Sequence, residues 1–250
     1  MVFYVVYRAS KKFKDRSALP LRLKALGCRH LHRAFWEIDE EKARKVLKIL
    51  EKNRPILLKR VREIKKPQFS RDGRISELGS LVIVMYSTPK EDRREKIKNF
   101  LKRAPCIRLR RSVYAFCQRH SLFDKADKLV DAQKFAGFIR KIQGKVRVIP
   151  RVIIVNTNSV ERLLQEIRER VEGESSDIVR SSKDLYGKVF RGDDIRPIRD
   201  SLSKNKRRFL KLKRVAAFYE KWLRIDFSSS LRRSYKAVKK VNSVIYEGHE

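Results

Sequence analysis

A stretch that occurs twice restricts the folds open to this chain more than any other feature. The first copy is Leu23-Lys24-Ala25-Leu26-Gly27-Cys28-Arg29-His30-Leu31-His32-Arg33-Ala34-Phe35-Trp36. The second is Leu101-Lys102-Arg103-Ala104-Pro105-Cys106-Ile107-Arg108-Leu109-Arg110-Arg111-Ser112-Val113-Tyr114. A single offset of 78 residues aligns Leu23 with Leu101, Cys28 with Cys106, Leu31 with Leu109, Arg33 with Arg111 and Trp36 with Tyr114. Each copy reads as the end of a helix, a tight break and a strand that carries basic residues. Such self-similarity predicts two related supersecondary units in one chain.

The flanking sequence extends both units in the same way. Val2–Tyr7 is β-branched and aromatic on both faces, as expected of a buried central strand. Ser17 opens a helix that runs to Leu26 with Pro20 in its first turn, and Gly27 stops it. Arg29–Asp39 then reads as one strand, Glu40–Lys52 as a helix and Ile56–Val61 as a strand, giving a β-α-β-α-β pattern. The second round runs Leu81–Tyr86, a helix Glu91–Arg103 behind Thr88 and Pro89, a long strand Cys106–Gln118, a helix Asp124–Ile142 and a strand Val146–Val155. Pro150 inside that last strand predicts an edge position or a bulge. After Thr157 only helical patterns remain, with Gly173–Ser176 expected to break the first of them. The organisation expected is therefore α+β: a first unit at 1–66, a linker at 67–79, a second unit at 80–156 and a basic helical region at 157–250.

Charge narrows the partner class. Sixty-four Lys and Arg against 29 Asp and Glu give a net charge of +35. A compact fold with that excess repels itself, and an anionic partner relieves the repulsion. Nucleic acid is the first expectation, because its phosphates form a dense line of charge and release counterions on binding. Charge-rich thermophile surfaces raise Glu together with Lys, which is not the balance here. Three cysteines, Cys28, Cys106 and Cys117, are too few for a disulfide framework and point to a reducing, cytoplasmic compartment. The first residues lack the basic lead of a secretory signal, and no apolar run approaches the roughly 20 residues a bilayer crossing needs.

A β-α-β-α-β unit with a kinked central strand resembles a ferredoxin-like sandwich. The second copy, in Leu81-Val82-Ile83-Val84-Met85-Tyr86, Arg93-Arg94 to Leu101 and Arg110-Arg111-Ser112-Val113-Tyr114, resembles the small CRISPR spacer-acquisition family, whose ferredoxin-fold dimer bridges integrase subunits. The first copy, in Tyr7-Arg8, Leu23-Lys24-Ala25-Leu26-Gly27 and Phe35-Trp36, also resembles the related domain of PaaX-type repressors and ChrB-type chromate-resistance proteins. The resemblance covers about residues 1–65 and 80–155, and it implies DNA as partner. It also implies that a tandem chain supplies the pseudo-twofold arrangement which the family reaches by dimerising. The spacer-acquisition family places an aspartate after the first strand's tyrosine as the proposed Mg²⁺ ligand of its nuclease activity. Here Arg8 follows Tyr7 and Ser87 follows Tyr86. Neither is a magnesium anchor, since that ion prefers carboxylates, so the nuclease site does not carry over.

Other chemistry is thinly represented. Cys28-x-His30-x-His32, with Cys117-x-x-His120, has some of the ligand types of a zinc site, but the second copy replaces the histidines with Arg108 and Arg110. No metal site is expected. The acids Glu37, Asp39, Asp92, Asp124, Asp127, Asp131, Asp193 and Asp194 fit helix caps and ion pairs better than a catalytic pair. No catalytic residue and no cofactor are assigned, and the balance leans away from an enzyme. The aromatic residues Phe35, Trp36 and Tyr114 are expected in the core rather than stacked on bases.

The nucleic-acid-binding residues expected are Arg29, Arg33, Arg93, Arg94, Arg108, Arg110 and Arg111 in the two units, with Lys206, Arg207, Arg208, Lys211 and Arg214 in the helical region. Arginine's planar fork suits phosphate. If the two basic strands lie side by side or back to back, their arginines form one surface. Lys11, Lys12 and Lys14, and Lys96 and Lys98, flank it in sequence. The expectation is a non-enzymatic nucleic-acid binder, DNA slightly ahead of RNA. The alternatives are a metal-dependent nuclease with displaced carboxylates and an RNA-binding component of a ribosome or another nucleoprotein complex.

Overall fold

The structure is a computed structural model that describes residues 2–8, 17–87, 93–118 and 129–246. The chain divides into two compact units, Met1–Leu164 and Gln165–Glu250. The first contains β1 (Val2–Val6), α1 (Ala18–Ala25), β2 (Arg29–His32), β3 (Phe35–Asp39), α2 (Ala43–Leu50) and β4 (Ile56–Arg60). A short hairpin follows, β5 (Gln68–Phe69) and β6 (Ile75–Glu77). The order then restarts with β7 (Leu81–Ser87), α3 (Arg94–Leu101), β8 (Cys106–Arg110), β9 (Val113–Cys117), α4 (Ala132–Lys141) and β10 (Lys145–Ile154). Eight of these strands form one antiparallel sheet in the order β2-β3-β1-β4-β10-β7-β9-β8.

Each half thus runs strand, helix, hairpin, helix, strand. The two long strands expected at Arg29–Asp39 and Cys106–Gln118 are hairpins instead. Arg33-Ala34 turns the first and Arg111-Ser112 the second, with positive φ at Arg33 (45°) and Ser112 (64°). Two-residue hairpins need such angles to match the strands' twist. The expected linker contains the β5–β6 hairpin. It is anchored beside Gly79, whose φ of +72° and approach to Lys65 leave no room for a side chain: a Cβ there would stand 2.7 Å from the Lys65 carbonyl oxygen.

Alternate residues of each half fill two layers, as the period of two requires. On one face Phe3, Val5 and Tyr7 meet Leu19, Leu23, Cys28, Trp36, Val46 and Leu50 beneath α1 and α2. The matching face of the second half joins Val84, Phe116, Leu101, Cys106, Phe135 and Ile139 beneath α3 and α4. Leu23 and Leu101, and Cys28 and Cys106, are buried in both halves, whereas Leu109 is buried and its counterpart Leu31 is half-buried. The same helix end is terminated differently in each. Gly27 takes the left-handed conformation and donates to the Lys24 carbonyl, and Cys28 donates to that of Leu23, whereas Pro105 follows the corresponding helix.

The opposite face of the sheet is buried too, with Val6, Phe35, Leu58, Ile83, Leu109 and Val113 at 2% exposure or less. The two halves meet in the sheet through β10. Lys145–Ile149 pairs with β7 of its own half, and Val152–Ile154 pairs with β4 of the other. Between them the register slips at Pro150-Arg151, where Arg151 has φ 56°; the expected interruption is a bulge in the centre of the sheet rather than an edge. Asn156 fastens the end of the strand, accepting from the Leu57 N–H at 2.9 Å and donating to the Pro55 carbonyl at 3.1 Å.

Side chains tie the halves a second time. Arg8 donates to the carbonyls of Arg108 and Leu109, at 2.6 and 3.0 Å, and Arg110 donates to the carbonyl of Tyr7 at 2.6 Å. On a flat sheet β1 and β8 would be five strand spacings apart, roughly 24 Å, beyond the reach of any arginine. The sheet therefore folds over, and the edge strand β8 returns to the end of β1. The other edge does the same, since His32 of β2 lies against the Tyr86 backbone near the end of β7.

Helix α5 (Thr157–Phe190) is continuous through Gly173, where a break is expected from the sequence. α6 (Ile195–Leu223) and α7 (Ser228–Tyr246) follow. In the second unit Leu202, Leu212, Val215, Tyr219, Val238 and Val241 are buried. Small polar residues let the helices approach: Ser175 bonds Ser234 at 2.7 Å and the Ser230 carbonyl at 2.8 Å, and the buried Asn205 donates to Ser181 and Ser182.

Candidate nucleic-acid interface

The expected site residues separate by what their side chains touch. Arg110 is half-buried, its guanidinium held by the Tyr7 carbonyl and lying 5.8 Å from the Tyr7 ring. Arg93 is also half-buried and donates to the Ile142 carbonyl at the end of α4, where it satisfies a helix C-terminus. Arg29 pairs with Glu37 across the β2–β3 hairpin at 2.8 Å. Arg33, Arg94, Arg108 and Arg111 are exposed, Arg33 and Arg111 at the tips of the two hairpins. β2 and β8 are opposite edges of the sheet and do not pair with each other. Lys96 and Lys98 are exposed on α3, while Lys11, Lys12 and Lys14 lie outside the described residues, as do Thr88 and Pro89.

In the second unit, α6 presents the densest basic surface. Arg207, Lys211 and Arg214 are exposed at i, i+4 and i+7, which places them on one stripe about 10 Å long. Lys204 extends that stripe by one turn. Residues 206–214 contain no acid. Arg208 instead pairs with Glu174 at 2.9 Å, and Lys206 is held by Asn242 at 2.6 Å beneath the Tyr246 ring. Helix α7 adds a basic surface outside the site residues expected from the sequence. It carries Arg232, Arg233, Lys236, Lys239 and Lys240, all exposed, without a single acid along its length. In the sequence these cations stand as two adjacent pairs, Arg232-Arg233 and Lys239-Lys240, with Lys236 between them and no longer run.

The chemistry-bearing candidates are otherwise occupied. Cys28 and Cys106 are buried. Burial raises the Cys28 thiol above its ordinary value, which keeps it protonated. The His30 ring is exposed, contacts the Arg33 carbonyl and packs 4.6 Å from Trp36. His32 is half-buried, and burial, then the charges of Arg33 and neighbouring groups, lowers its pKa. Its Nε2 is buried without a hydrogen-bond partner. His120, Asp92, Asp124 and Asp127 lie outside the described residues. Asp39 pairs with Lys42 at 2.7 Å, Asp131 accepts from the Lys134 N–H and Asp194 from the Arg196 N–H as helix caps. Among the described residues no three His, Cys, Asp or Glu side chains stand together as a metal site would need, and no helix is long and apolar enough to cross a membrane.

Phe35 and Trp36 are fully buried, and Tyr114 packs on Tyr86 and Phe135, so these aromatics belong to the core. Burial, with the neighbouring Tyr86 adding, pushes the Tyr114 hydroxyl far above the ordinary phenol range. No family model, curated protein or solved structure matches the chain.

Proposed function

We propose that this is a non-enzymatic nucleic-acid-binding protein that grips phosphate backbones, chiefly through the basic helices of its second unit. The observation that carries the reading is the acid-free stripe Lys204, Arg207, Lys211 and Arg214 on α6, within a chain of net charge +35. Phosphates recognise such a stripe without regard to base sequence. The exposed hairpin tips at Arg33 and Arg111, with Arg94 and Arg108, supply further contacts from the first unit. We also read each half of that unit as ferredoxin-like. The order strand, helix, strand, strand, helix, strand, with the last strand beside the first and the first beside the third, supports this reading. The reflected strand order of the two halves supports a duplicated unit that forms its own pseudo-dimer. DNA is preferred to RNA on the resemblance to spacer-acquisition proteins and PaaX-type repressors.

Fluorescence anisotropy with duplex DNA, duplex RNA and single strands, with and without Mg²⁺, tests this reading. Tight, salt-sensitive binding with the strands left intact is expected. Cleavage that EDTA abolishes would replace the binder with a nuclease, and a preference for RNA would move the reading to a nucleoprotein component. Indifference to all three would end it.

A further inference from the structure

A groove of about 300 Å³ lies within the second unit between α5 and α7, lined by Ser175, Ser176, Val179, Arg180, Lys183 and Arg233. None of these residues was expected as a site from the sequence. The groove is a consequence of close helix packing. Ser175 and Ser234 hydrogen-bond to each other at 2.7 Å, which draws α5 and α7 together and leaves Arg180 and Lys183 on one wall and Arg233 on the other. Arg180 has an acid beside it, Asp177, and Arg233 approaches the Ser230 hydroxyl at 3.4 Å. Three cations and one acid leave the groove with a net excess of positive charge, which an anion with two negative charges would neutralise.

We propose that this groove binds the phosphate of a nucleotide. Arg233 and Arg180 supply planar donor forks, Lys183 a mobile point charge and Ser176 a hydroxyl, a donor set that matches phosphate oxygens. The volume exceeds what a lone phosphate fills and sits at the lower end of small-ligand sites, roughly 300 Å³. Val179 and the aliphatic stems of the cationic side chains offer an apolar floor for the sugar or base. The ligand is a free mononucleotide, whose phosphomonoester carries close to two negative charges, or one residue of a bound strand, whose phosphodiester carries one. Both offer nucleoside-linked phosphate oxygens to the same donors.

Calorimetric titration of the full chain with AMP tests the proposal. Saturable binding is expected, at least about tenfold weaker in K183Q/R233Q than in wild type. K45Q/K48Q removes the same charge from exposed lysines of α2, outside the proposed interface, and should bind AMP as wild type does. The groove residues are exposed apart from Ser175 and Val179, and matching thermal melts of all three proteins establish that each is folded. Displacement of AMP by octathymidylate would assign the groove to a strand, and failure to displace would assign it to free nucleotides. Absence of AMP binding would overturn the proposal, as would an equal loss in both variants. AMP binding without duplex binding would leave this site standing and remove the proposed function; the reverse would do the opposite.

Discussion

Arg110 donates to the carbonyl oxygen of Tyr7 at 2.6 Å across 103 residues of chain, while Arg8, the neighbour of Tyr7, reaches back to the strand that carries Arg110. The two arginines lock the edge of one half to the end of the first strand of the other. A residue type that advertises phosphate binding is here spent on folding, and its neighbour Arg111 points to solvent.

That division predicts opposite phenotypes for adjacent residues. Arg110→Ala should destabilise the first unit by about 1.5–3 kcal/mol, the usual worth of a hydrogen bond from a charged group. Arg111→Glu should leave urea unfolding unchanged and weaken nucleic-acid binding. Equal stability of the two variants would show that the inter-half tie contributes nothing.

Gly79 makes a sharper structural prediction. A methyl group there meets the Lys65 carbonyl oxygen at 2.7 Å in a left-handed backbone conformation. Gly79→Ala should lower stability by about 2 kcal/mol, measured by chemical denaturation. Gly73 also has a positive φ, of +78°, but nothing lies within 4 Å of its Cβ position. Gly73→Ala should therefore cost less, about 1 kcal/mol from the backbone alone.

His32 should give the fold a pH dependence near neutrality. Burial lowers its folded pKa below the unfolded value of about 6.5, so the unfolded chain binds the proton more readily. Its contribution is fully present above the unfolded pKa and is lost as pH falls through the folded one. Arg33, His30 and Arg147 surround the ring with charge that works in the same direction, and the backbone bond to Tyr86 opposes it. Melting temperature should fall as pH drops below about 6.5, and His32→Gln should flatten that part of the curve. An unchanged slope in the variant would assign the dependence elsewhere.

Much of the architecture was legible because hydrophobic alternation and helix stops are local signals. Gly27 marked a helix end, and Leu23, Cys28, Leu101 and Cys106 marked a shared core. The hairpins were hidden because Arg33-Ala34 and Arg111-Ser112 lack the Gly or Asn that usually signals such turns. Gly173 misled in the other direction. One glycine costs a helix only about 1 kcal/mol, and buried Val171, Ser175 and Ile178 on either side favour the continuous helix through it. The candidate site was legible on α6, where the basic residues are contiguous. It was not legible for Arg110 and Arg93, whose acceptors lie on distant segments, nor for α7, whose cations are spaced along the helix.

The central claim concerns the α6 stripe, and the salt dependence of duplex DNA affinity tests it most directly. Log affinity should fall linearly with log salt concentration, and R207Q/K211Q/R214Q should reduce the slope by about 3, close to one for each phosphate contact removed. Its thermal melt should match wild type, because all three side chains are exposed. A slope identical in wild type and variant would show that the stripe does not contact phosphate, and affinity indifferent to salt in both would contradict the account as a whole.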